Sequence, residues 1–301
     1  MFLLHAGGGE LSAEVYFEEV LLHGTIETLK LIPFLFLTYL LIEYIEHKAG
    51  AHKERFLSHN SIVSPVFGAL VGAVPQCGFS AAAANLYAGG VISVGTLIAV
   101  FLSTSDEMLP ILISGSFSPL SILGILGYKT LVAMVMGILI NLIFRGVKNK
   151  KSVVADECCQ HCHDSCGGGP LRSAVRHTLK ISAFVLLITF LINSVIVTVG
   201  EESVGSVIRS AGGVSYLVSA VFGLIPNCAA SVALTTLAKG GIISSGQMLS
   251  GLFSGGGIGI AVLLRTNKSK VQSLIILLTL VIVGAVFGYI ADLVIPNVLT
   301  W

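Results

Sequence analysis

Apolar residues come in long runs along this chain, and polar residues fall either between the runs or in short interruptions within them. The first run covers about 26–46 and is followed by a polar stretch, Glu46 to Asn60, that carries Lys48, Lys53 and Arg55. Residues 61–88 are apolar but broken at Pro75-Gln76-Cys77-Gly78, and 91–114 are broken at Ser103-Thr104-Ser105-Asp106-Glu107. A continuous run over 120–144 leads into a polar segment, 145–176, with Arg145, Lys148, Lys150, Lys151, Arg172 and Arg176. The order then recurs: an apolar run over 177–199, a polar stretch over 200–213, 214–238 broken at Pro226-Asn227-Cys228, and 241–264 broken at Ser254-Gly255-Gly256-Gly257. A basic turn, Arg265 to Lys270, and a last run over 271–295 complete it. Runs near 20 residues predict membrane-crossing helices. Ahead of them, Glu10, Glu14, Glu18 and Glu19 interleave with Leu11, Val15, Val20 and Leu21, which predicts an acidic amphipathic segment over 1–25.

The recurrence is visible residue by residue. Gly72 and Gly223, Pro75 and Pro226, Cys77 and Cys228, Gly89-Gly90 and Gly240-Gly241, and Ser103 and Ser254 are all separated by 151 positions, as 223 is from 72. Matches concentrated at Pro, Cys and Gly at one offset indicate an internal repeat rather than shared hydrophobicity. The domain reading is therefore a first transmembrane repeat over 26–144, a linker over 145–176 and a second repeat over 177–295.

Loop charge orients the repeats. The basic stretches 47–60, 145–176 and 265–270 are expected in the cytoplasm. An even number of crossings must then separate the first two, although three apolar units lie between them. The unit broken at Pro75 is the natural re-entrant hairpin, because irregular backbone survives at membrane depth only inside protein or beside a cavity. Each repeat thus has three crossings plus one hairpin, three being odd, so the two repeats are inverted and both termini lie outside. The predicted fold class is an all-α polytopic membrane protein with two inverted-topology repeats, located in the cell inner membrane.

Composition agrees with this. Charged residues are only 11% of the chain and hydrophobic ones 54%, against roughly 25% charged in soluble domains. A net charge of +1 names no partner, and the lack of a basic face excludes nucleic acid. Met1 to Glu10 has neither a basic n-region nor a small-residue cleavage site, so a cleaved signal peptide is not expected. With 34 glycines the bundle suits close helix contacts and is compatible with homodimerisation.

Inverted repeats with broken helices place a substrate where helix ends meet. The candidate substrate-binding residues are accordingly Gln76, Cys77, Asn227 and Cys228 at the hairpin tips, with Ser103, Thr104, Ser105, Asp106, Glu107 and Ser254 at the helix breaks. Gln76 and Asn227 bring amide donors and acceptors, or else satisfy the broken backbone. Cys77 and Cys228 are soft ligands or small core residues. Asp106 and Glu107 are intramembrane carboxylates, costly and a functional-site hypothesis by default. No Arg, Lys or His lies at any of the four breaks in the sequence. Asn85, Asn141 and Asn193 read as interhelical hydrogen bonds, Glu43 and Asp292 as helix-end residues that reach water, and Gly255-Gly256-Gly257 as a point of close backbone approach. The linker adds Cys158, Cys159, His161, Cys162, His163 and Cys166, a dense set of thiolate and imidazole ligands suited to zinc, copper(I) or other thiophilic ions. On the cytoplasmic side these thiols stay reduced and would act as a capture tract.

The Pro75-Gln76-Cys77-Gly78 hairpin, the Gly89-Gly90 step before Ser93, the Ser103–Glu107 break and the Cys/His-rich centre resemble the ten-helix heavy-metal exporters, a family that includes proteins called arsenic efflux protein and manganese transporter. The likeness extends from about 25 to 295. It implies export of a metal or metalloid ion, a divalent cation such as manganese or an arsenite-like species. Some members carry Gly where Gln76 and Ser105 stand, so the ion stays open. No nucleotide-binding fingerprint is present, and no cofactor is required beyond the metal as substrate. The expectation is a proton-coupled secondary transporter by alternating access, not an enzyme, with metal or metalloid ion and membrane lipid as partners. A carrier of a small anion, using helix N-termini at the tips, is the second reading. An intramembrane lipid-phosphate enzyme ranks below both, for want of a basic residue at the breaks.

Overall fold

The fold is taken from a computed structural model of the chain, which describes residues 63–74, 77–104, 108–114, 118–143, 201–267 and 269–294, with scattered helical residues between 25 and 40 and between 175 and 191. Everything regular among the described residues is helical. In the first half lie α1 (Val63–Gly72), α2 (Cys77–Ala88), α3 (Val94–Ser103), α4 (Met108–Ser114) and α5 (Pro119–Ile143). In the second lie α6 (Glu201–Ser210), α7 (Ser215–Gly223), α8 (Cys228–Lys239), α9 (Ser245–Ser254), α10 (Ile258–Thr266) and α11 (Lys270–Val294). A short 3-10 turn, Gly212–Val214, joins α6 to α7.

The helix ends are encoded alike in both halves. Ser93 caps α3 by accepting the Thr96 N–H at 3.2 Å. Ser244 caps α9 by accepting the Gln247 N–H at 3.1 Å, and the Gln247 side chain accepts the Ser244 N–H in return, which completes a capping box. At the ends of α2 and α8, Gly90 and Gly241 take φ of 72° and 70°. Val91 N–H then reaches the Leu86 carbonyl at 2.8 Å and Ile242 N–H the Leu237 carbonyl at 2.9 Å. Only glycine adopts that left-handed turn without strain, so each is a glycine-ended Schellman cap.

Helix packing repeats too. α1, α3 and α5 pack mutually in one half, and α7, α9 and α11 do so in the other. The remaining arms cross over: α2 packs on α10 of the second half, and α8 packs on α4 of the first. The halves are therefore interlocked rather than side by side.

Among the described residues, three helical stretches are long and apolar enough to cross a membrane by length and composition: Pro119–Ile143, Ser245–Thr266 and Lys270–Val294. The outward sides of the first and last are apolar, with Leu120, Leu123, Leu131 and Leu139 exposed on α5 and Leu274, Leu278, Ile282 and Val286 on α11. Water would not tolerate so continuous an apolar surface. Acyl chains would, and the chain is a multi-pass membrane protein. The structure differs from the sequence reading at 200–213, expected as a polar stretch, where α6 forms instead. Ile208 is buried there, and Gly205 lies against Leu237 and Ile242. One apolar stripe on a polar segment is enough to dock a helix.

Candidate functional site: two helix breaks and two hairpin tips

At the second hairpin tip the chain turns through Pro226 into Asn227, which is extended (φ −150°, ψ 146°) and caps α8. Its side-chain oxygen accepts the Ala229 N–H at 3.2 Å, so this amide does satisfy the broken backbone. Cys228 follows as the first residue of α8, buried and outside any disulfide. In the first tip, α1 ends at Gly72 and α2 begins at Cys77. Pro75, Gln76 and the Cys77 side chain lie outside the described residues.

The first break follows α3. Ser103 and Thr104 are both buried and both hydroxyls donate to the Val100 carbonyl, at 3.0 and 2.7 Å. That local bonding ends the helix by returning the side chains onto its last turn. In the second break Ser254 donates to the carbonyls of Ala220 (2.5 Å) and Gly251 (2.9 Å). Gly255 and Gly256 continue, and Gly257 turns the chain into α10 with φ 50° and ψ −140°, a conformation essentially closed to residues with a Cβ.

Close approaches at glycine bring these pieces together. A methyl group on Gly72 would lie 2.7 Å from the Val100 carbonyl oxygen and nearer still to the Ser103 hydroxyl. One on Gly223 would strike the Gly251 carbonyl and lie 2.5 Å from the Ser254 hydroxyl. Each hairpin's first arm, three residues before its proline, thus rests on the helix break of its own half. The halves meet as well. A Cβ on Gly256 would lie 3.1 Å from the Phe101 ring, two residues short of Ser103, and one on Gly259 would lie 2.7 Å from the backbone of Ser80, one turn into α2. The start of α10 and the first turns of α2 are therefore neighbours beside both breaks. Of the predicted residues, Ser103, Thr104 and Ser254 stand in this cluster. Asn227 and Cys228 begin the arm that packs on α4 and α9. Ser105, Asp106, Glu107 and the linker ligands Cys158, Cys159, His161, Cys162, His163 and Cys166 lie outside the described residues.

The fold also delivers a residue that sequence reading left out. Lys129, ten residues into the apolar α5, is fully buried, and its ammonium donates to the carbonyl of Thr104. The expectation that no basic residue stands at a break holds along the chain and fails in space. Contacts between α3 and α5 bring this cation to the C-terminal end of α3, where the helix dipole is negative. A single Lys inside a long apolar run was the available signal, and proximity in sequence was the wrong test. At the matching position of α11 stands Leu280, likewise buried.

Asp292, half-buried near its helix end as expected, does more than reach water: its carboxylate accepts the Tyr216 hydroxyl at 2.9 Å, the Gly246 N–H at 2.6 Å and the Ser244 hydroxyl. It thereby locks the end of α11 to the start of α9. Asn141 holds the matching place against Gly95 in the first half. Asn85 pairs with Thr266 across the halves, its side-chain oxygen accepting at 3.5 Å. Among the described residues, no three His, Cys, Asp or Glu side chains are grouped to hold a metal ion.

A family model described as "Putative, 10TM heavy-metal exporter" matches residues 28–175. Over that span the chain is similar to the heavy-metal exporter family. The exporter match takes in α1 to α5, both elements of the first tip and break, Lys129 and the Cys/His linker. No curated protein and no solved structure matches the chain.

Proposed function

We propose that this protein is a secondary exporter of a metal or metalloid species, working by alternating access between two inverted repeats and coupled to protons. In this reading the breaks after α3 and α9 and the two hairpin tips form the substrate site. Asp106 and Glu107 bind the cation or its counter-proton, Cys77 and Cys228 are soft ligands, and Gln76, Asn227, Ser103, Thr104, Ser105 and Ser254 supply oxygen ligands. A hard ion such as manganese would rely on the carboxylates and amides, an arsenite-like species on the thiols. The Cys/His linker captures ion on the cytoplasmic side, and both termini lie outside. The observation that carries this reading is the meeting of the two breaks across the halves, Gly256 against Phe101 and Gly259 against Ser80. Helix ends of opposite halves meeting at one place are what a carrier needs in order to open a single site to either side in turn.

The test is metal and metalloid content in cells overexpressing the protein, beside cells carrying Asp106→Asn. Selective depletion of one element that is lost in the variant is the expected result. Unchanged content for every element, with the protein inserted and folded, refutes export.

Lys129 favours one further reading, a carrier of a small anion. A buried ammonium at the first break is a setting in which negative charge is stabilised. The same cation removes the objection that a lipid-phosphate enzyme would lack a basic group. The likeness of residues 28–175 to an exporter family favours a carrier over an enzyme.

A further inference from the structure

We infer that Lys129 is a tethered cation: at the end of α3 its ammonium fills the place where a carrier built on broken helices takes a free monovalent coupling ion, so this protein needs neither Na⁺ nor K⁺ there. This rests on the carrier reading and narrows what can drive it. Three observations lead to it.

The first is the carbonyl that Lys129 grips. In broken-helix carriers, the C-terminal ends of half-helices and the carbonyls beyond them coordinate the coupling cation, because the helix dipole and the unbonded carbonyls both present negative charge. α3 ends in that way. The Val100 carbonyl accepts the Thr104 N–H at 3.0 Å and the hydroxyls of Ser103 and Thr104. The Thr104 carbonyl is the next group out from the helix end, and it accepts from the Lys129 ammonium. A single positive charge therefore already occupies this helix end.

The second is how that charge arrives. Lys129 comes from a different helix, and ten residues of α5, about 15 Å of helix, separate it from Pro119 at the nearer end. Lysine and Thr104 are both buried. A lysine that can carry its ammonium to a membrane surface does so, since burying that charge is costly. This one is held at the break instead.

The third is the comparison between the halves. The residues 151 positions on from Thr104 and Lys129 are Gly255 and Leu280, neither of them charged. α9 packs on α11 as α3 packs on α5, with Leu280 buried in the lysine's place. Pairing of these helices therefore does not require an ammonium. The charge is a property of the first break, added to a packing arrangement that works without it.

The test is the melting midpoint of the full chain, purified in detergent, in ammonium, Na⁺ or K⁺ chloride against choline chloride at equal concentration. Wild type, Lys129→Arg and Lys129→Leu should not distinguish the salts. The first two carry their own charge, and the third copies Leu280 and fills the place with an apolar group. Lys129→Ala vacates it, and its midpoint should rise in ammonium, Na⁺ or K⁺ over choline, by about 3–6 °C at roughly ten times the dissociation constant. A folded Lys129→Ala that melts alike in all four salts overturns the inference, as does one that rises no more than Lys129→Leu. A wild-type midpoint raised by Na⁺ or K⁺ over choline overturns it in every case. Should Lys129→Ala not fold, equal wild-type midpoints support it. Midpoints need no transport, so a failure of export, read from the metal content of cells, is a separate result from a failure of this inference.

Discussion

Replacing Gly223 by Ala places one methyl group where the structure has no room for it. The new carbon would overlap the Gly251 carbonyl and stand 2.5 Å from the Ser254 hydroxyl and 2.7 Å from the Gly251 carbonyl carbon. Two of those neighbours are backbone of α9, and the third is a buried hydroxyl bonded to Ala220 and Gly251, so none yields cheaply. Relief requires α7 and α9 to separate by roughly 1 Å. Overpacking of that kind costs about 1–3 kcal/mol, and weakening the Ser254 to Ala220 hydrogen bond adds about 1 kcal/mol, so a loss of about 2–4 kcal/mol is expected. At roughly 2–4 °C per kcal/mol for a chain of a few hundred residues, the melting midpoint in detergent should fall by about 5–15 °C. Transport should fall with it, because the displaced strand of backbone is the second break. Gly127→Ala is the control, since nothing lies within 4 Å of a Cβ there. A Gly223→Ala protein that melts with wild type and transports normally would refute the close packing of hairpin on break.

Gly257→Ala should cost about 1–3 kcal/mol through backbone strain alone, read as a lower melting midpoint; the φ of 50° is the reason, and a neutral result would place that residue on the ordinary side of the map. Asp292→Ala should destabilise by about 2–4 kcal/mol, because it strands the hydroxyls of Tyr216 and Ser244 and the Gly246 N–H. Asp292→Asn, which keeps an acceptor as Asn141 does in the first half, should lose roughly half of that, and equal losses for the two would refute the hydrogen-bonding account. Deleting 156–166 should raise the cytosolic concentration needed for half-maximal export while leaving maximal export intact; loss of all export in a folded deletion would put the linker inside the transport step.

The helix ends were legible where they are set by local chemistry. Pro226 and Asn227 stop and restart a helix through residues next to one another, and the Gly240-Gly241 pair that marked the repeat ends α8 in the same local way. Lys129 and Asp292 were not legible, because their meaning lies in partners on other helices. Thr104 is 25 residues from Lys129, and Gly246 is 46 from Asp292. Hydropathy averages such residues into an apolar run, and a helix-end rule does not name the groups that Asp292 binds on α7 and α9. The close approaches of Gly256 to Phe101 and of Gly259 to Ser80 were hidden for the same reason: the glycines advertise that something comes near, and only the fold says what.

The exchange of arms between the halves has a consequence for how the protein is made. α2 is complete well before α10, its packing partner, has been synthesised. At a translation rate of roughly 5–20 residues per second, the interval between the end of α2 and the end of α10 amounts to about 10–35 s. During that interval the nascent first half sits in the bilayer with one arm unpartnered. Its survival depends on whatever shields it from membrane proteases and wrong partners. A ribosome pause between the halves would lengthen that exposure, and expressing the two halves from separate genes at unequal levels would leave the excess half to be degraded.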